Sequence, residues 1–81
     1  MTTPHAALRA IYEGRVSIIR EFRGGSRLDV PEGVTADSVM RIRDLGLAAL
    51  CDPEACGAFS LYRVALTPAG IDVLQEIENG R

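Results

Sequence analysis

Cys51 and Cys56 are the two thiols of the chain, and they flank the four residues Asp52-Pro53-Glu54-Ala55. A hairpin loop of that length would set them opposite each other, with Cα atoms about 4.5–5.5 Å apart and within disulfide range. Three chemistries follow: two free thiols at the base of a hairpin, a bridge that forms on oxidation, or a pair of metal ligands. The last is short of partners, because His5 is the only histidine and a closed zinc site takes four nitrogen or sulfur ligands. The sequence therefore predicts no metal and no cofactor. A histidine so near the N-terminus is also badly placed to serve either thiol as a base. No Walker loop, dinucleotide fingerprint or nucleophile elbow occurs, so the expectation is a protein that is not an enzyme.

The other chemistry-bearing side chains are arginines. All nine basic residues are Arg, which reflects either a G+C-rich coding sequence or a preference for rigid bidentate donors. Arg9, Arg15, Arg20, Arg23, Arg27, Arg41 and Arg43 stand against five acids up to residue 43, whereas residues 44–81 carry Arg63 and Arg81 against six acids. The charge pattern predicts a dipole, although the net charge of −2 and pI near 5.2 fall short of a basic nucleic-acid binder. Arg23-Gly-Gly-Ser-Arg27 reads as a helix stop with solvated arginines or as a small anion-binding turn.

These residues need elements to hold them, and 81 residues suffice for one small domain. No apolar run approaches the roughly 20 residues of a membrane span. The first residues lack a basic region followed by an apolar stretch, so the expected location is the cytoplasm. Leu8, Ile11, Tyr12, Ile18, Ile19 and Phe22 keep helical spacing and predict a helix from Pro4 to Arg23, or two helices divided at Glu13-Gly14-Arg15. Ser26 to Val30 reads as a short extended piece. A second helix starts at the cap Thr35, has Asp37 in its first turn, buries Val39, Ile42 and Leu45, and stops at Gly46. Leu47 to Leu50 predicts a strand, Asp52-Pro53-Glu54 a turn near a hairpin tip, and Ala58 to Leu66 the returning strand. Thr67-Pro68 opens a last helix with Ile71, Leu74 and Ile77 inward. Val39, Ile42, Leu45, Leu66, Ile71 and Leu74 are expected to share one core with the first helix.

Three stretches carry a family likeness: Gly33-Val-Thr-Ala-Asp-Ser-Val39, Arg43-Asp-Leu-Gly-Leu47 and Tyr62-Arg-Val-Ala-Leu-Thr-Pro-Ala-Gly70. Together, over residues 33–74, they resemble a winged helix-turn-helix of the MarR/PadR kind. The resemblance implies a small α+β winged helix with a two- or three-stranded antiparallel wing sheet. It also implies a homodimer whose recognition helix enters the major groove of double-stranded DNA while the wing meets flanking phosphates. On that reading the chain is a transcriptional regulator, and Thr35, Ser38, Arg41 and Arg43, with Arg27 and Arg63, contact DNA.

Helical facing supplies an alternative. With Val39, Ile42 and Leu45 inward, the second helix turns Asp37, Met40, Arg41 and Asp44 outward. Asp37 and Asp44 repel phosphate, and Met40 between them is an adaptable apolar contact. Such a face suits a protein target, as in a phage-encoded inhibitor of the anti-CRISPR kind.

Overall fold

A computed structural model describes residues 4–80, with Cys56 described in its backbone only. Helix α1 spans Pro4–Tyr12. Gly14, at φ 76°, closes it: Gly14 N–H donates to Ile11 O (3.1 Å) and Arg15 N–H to Ala10 O (3.0 Å), the paired bonds of a Schellman stop. Past that stop the β-branched run Val16, Ile18, Ile19 prefers extended backbone. The chain forms β1 (Ser17–Glu21) and turns back through Gly24 and Gly25 into β2 (Ser26–Asp29). The expected helix over residues 15–23 is thus a strand and a turn. Ile18 and Ile19 point to opposite faces of a sheet, and Phe22 stands 71% exposed at a ribbon tip.

Helix α2 (Ala36–Asp44) begins where the sequence places it, with Thr35 Oγ1 accepting the Ser38 N–H at 3.2 Å. It ends in a second Schellman pair, Gly46 N–H to Arg43 O and Leu47 N–H to Ile42 O, with Gly46 at φ 79°. Strands β3 (Ala48–Leu50), β4 (Glu54–Cys56) and β5 (Phe59–Leu66) follow, and α3 (Pro68–Asn79) closes the chain. The sheet is antiparallel and five-stranded, in the order β2-β1-β5-β3, with β4 also on β5. It is wider than the two- or three-stranded wing sheet expected, because residues 17–29 add a hairpin to it. A helix-turn-helix would carry a helix directly before α2; the element there is β2. The architecture is mixed α+β.

Alternation decides what faces the helices. Val16, Ile18, Leu28, Val64, Leu66 and Ala48 share the face that packs on Ala7, Leu8, Ile11, Val39, Ile42 and Leu74. Two of the expected core residues are elsewhere. Ile71 is only half-buried, and Leu45 is 68% exposed. The reason for Leu45 is rotational: each three-residue step turns back about 60°, so two steps carry it about 120° away from Val39.

The Leu66-Thr67-Pro68-Ala69-Gly70 stretch acts as a latch. Thr67 Oγ1 accepts from Gly70 N–H (3.2 Å) and donates to Gly46 O (2.8 Å), while Thr67 N–H donates to Leu47 O (2.9 Å). Gly70 lies so close to the Leu47 carbonyl that a Cβ there would overlap its oxygen. The start of α3 is thereby fastened to the end of α2.

Candidate functional site

Two surfaces gather the chemistry-bearing residues. The first is an open apolar groove of about 590 Å³ beside α2. Leu8 of α1 and Ile42 form its floor, Leu45 and Leu47 flank it, and Val73 and Ile77 of α3 form the opposite wall. Thr35, Asp37, Ser38 and Arg41 line it from α2. Thr35 and Ser38 are already engaged with each other, Oγ1 to Oγ at 2.8 Å, besides the cap bond. The groove exists because the C-terminal drift of Leu45 leaves a large apolar side chain in water, which spacing alone assigned to the core.

The second is the β1–β2 ribbon. Ile19 pairs with Arg27 and Arg20 with Ser26, so alternation puts Arg20 and Arg27 on opposite faces, with Arg23 at the tip beside Phe22. All three arginines are exposed, and none forms an ion pair among the described residues. Arg23 and Arg27 were legible as a possible anion-binding turn. Arg20 was missed because it was assigned to a helix.

The sequence-predicted residues therefore disperse. Thr35, Ser38 and Arg41 meet at the groove with Asp37, while Arg43 lies about 200° round the helix from Arg41. Arg27 belongs to the ribbon. Arg63 is on β5, 3.9 Å from Glu54. Asp44 is exposed on the same edge of α2 as Asp37, but Met40 is half-buried and outside the groove lining.

No family model, curated protein or solved structure matches this chain, so the two surfaces are read from their own geometry.

The hairpin drawn through the cysteines has a different register. The turn falls at Gly57-Ala58, so Cys56 opposes Phe59, while Cys51 N–H donates to Arg63 O at 2.8 Å. Both cysteines thus run along one flank of β5, at positions four residues apart, or about 13 Å at strand rise. That exceeds the roughly 7 Å Cα limit for a bridge. Cys51 is an exposed free thiol, and the side chain of Cys56 lies outside the described residues. Among the described residues, no cluster of three His, Cys, Asp or Glu side chains could hold a metal. No described helix is long and apolar enough to cross a membrane.

Across α1 and α3, His5 Nε2 lies 3.0 Å from Glu78 Oε2, and Arg9 reaches both Glu78 (3.3 Å) and Glu13 (3.1 Å). The His5 hydrogen bond first, and then the Arg9 charge, hold the Glu78 carboxyl below its ordinary value. This cluster is a surface clasp between helix ends.

Proposed function

We propose that the chain is a small DNA-binding regulator that holds duplex DNA through the β1–β2 ribbon. The observation that carries this reading is the set of three exposed, unpaired arginines, Arg20, Arg23 and Arg27. Three acids elsewhere have partners of their own: Glu13 faces Arg9 and Arg15, Glu54 faces Arg63, and Glu78 faces His5 and Arg9. Glu21 and Asp29 are the acids of the ribbon itself, leaving it one positive charge in excess. A two-stranded ribbon fits the major groove, and arginines on both faces would meet phosphates on both walls. Exposed Phe22 at the tip adds an apolar surface of the kind that meets thymine methyl groups in the major groove. After the ribbon come α2, the strands β3, β4 and β5, and α3, and a helix, antiparallel strands and a helix in that order are what the winged-helix resemblance implies.

Titration of a labelled duplex over a salt series tests the reading. Three neutralised phosphates give a log–log slope of about −2.7, and each of Arg20→Ala, Arg23→Ala and Arg27→Ala lowers its magnitude by about 1. Arg41→Ala, in the groove, leaves the slope unchanged. Undetectable binding at low salt, or a triple variant with an unaltered slope, overturns it. A second reading, a module that docks on a protein, is favoured by the apolar groove beside α2, which shares no residue with the ribbon.

A further inference from the structure

The rims of the groove beside α2 carry a charge that selects an occupant. Viewed down α2 at about 100° per residue, Asp37 and Asp44 fall on the solvent side of the lining positions Ser38, Arg41 and Leu45. Viewed down α3, Asp72 and Glu76 fall on the solvent side of Val73 and Ile77, away from Leu74, which is buried in the core. All four acids are exposed, and none has an ion-pair partner among the described residues. Among the described residues that line the groove, Arg41 is the only cation.

From this we infer that the groove takes a basic amphipathic helix of another protein. Its apolar stripe lies on Leu45, Val73 and Ile77, and its Lys or Arg side chains lie against Asp37, Asp44, Asp72 and Glu76. The length agrees: Ser38 to Leu45 covers about two helical turns, or roughly 10 Å, which matches anchors at i, i+3 or i+4, and i+7. The charge agrees too, because acidic rims pair with the cationic flanks of such a helix and steer its approach. A second copy of this chain is the poorer occupant. An isologous contact would set the same four acids against themselves, and α3 contributes no cation to relieve them. The inference is independent of DNA binding, since it uses neither Arg20, Arg23 nor Arg27.

The test uses the full chain and three fluorescein-labelled synthetic peptides, read by anisotropy. One peptide carries Leu at i, i+3, i+4 and i+7 with Lys on its other face. The second is a scramble of identical composition, and the third has Glu in place of Lys. The Lys helix should bind at least about tenfold more tightly than either control. Leu45→Glu and Ile77→Glu should each weaken it by about tenfold or more, with far-UV circular dichroism unchanged because both side chains are exposed. The pair Asp72→Asn and Glu76→Gln should weaken it several-fold and flatten its salt dependence, and this pair decides the matter if Leu45→Glu disturbs the fold. Equal binding of the scrambled peptide, or indifference to Leu45→Glu and to the acid pair, overturns the proposal. Sedimentation showing a dimer that Leu45→Glu disperses would overturn it as well, in favour of a second copy.

Discussion

Where the helices meet, Ala7, Leu8, Ile11, Val39 and Leu74 are buried together, whereas the β1–β2 ribbon gives that core only the partly buried Ile18 and Leu28. The tip of the ribbon lies beside the β4–β5 turn, with Phe22 N–H donating to Ala58 O at 3.3 Å, and β5 runs from there back to Val64 and Leu66 under the helices. The molecule measures 45 Å along its longest axis and 19 Å along its shortest. One region is thick, apolar and rimmed by acids; the other is a thin sheet edged with arginines. The difference teaches that the buried core and the arginine surface are divided here between separate parts of a short chain, so the ribbon can be altered with little effect on stability.

Truncating the core is the strongest way to challenge that division. Leu8→Ala should cost about 2–5 kcal/mol in equilibrium denaturation, because Leu8 is fully buried. Phe22→Ser should stay within about 0.5 kcal/mol. Equal costs would show the ribbon tip to be packed like the core.

Gly70→Ala comes next, at about 1–3 kcal/mol. The added methyl group meets the Leu47 carbonyl oxygen, which cannot swing aside as a side chain would, and which also accepts the Thr67 N–H. An unchanged denaturation midpoint would show that the start of α3 is not clamped against α2.

The clasp at the helix ends gives the smallest effect. A carboxyl held below its ordinary pKa adds stability above that ordinary value and loses it as pH falls through the lowered one. Glu78→Gln should therefore lower the melting temperature slightly at neutral pH and leave it unchanged in strong acid. A deficit of the same size in strong acid would assign the effect to packing instead of charge.

Much of the helical region was legible in residue types. Thr35 and Thr67 announced their caps, Gly46 its stop, and Pro68 a first turn, because each of these is a local rule about backbone hydrogen bonds. The ribbon was not legible. Leu8, Ile11, Ile18, Ile19 and Phe22 keep helical spacing across a glycine that ends the helix, and periodicity alone carries no sign that Gly14 adopts positive φ. That one misreading hid Arg20 from the candidate interface. The groove was hidden for a different reason. A stripe at every third residue assigned Leu45 to the inner face, but each such step turns back about 60°, and by Leu45 the stripe has left the core. The cysteines misled through loop length, since Asp52-Pro53 ends one strand and lets β4 begin before the turn.

That interruption between β3 and β4 also bears on how the protein behaves when crowded. A continuous strand over residues 48–56 would leave a long row of unpaired amides along one margin of the sheet, a template for joining another sheet edge to edge. Pro53 has no amide hydrogen to offer and Asp52 is charged, so the margin is broken into two three-residue pieces. The opposite margin, β2, is only four residues long and carries Arg27 and Asp29. Both margins of the sheet are thus poor seeds for amyloid-like stacking, which suits a small chain that exposes Leu45, Ile77 and Phe22 to solvent.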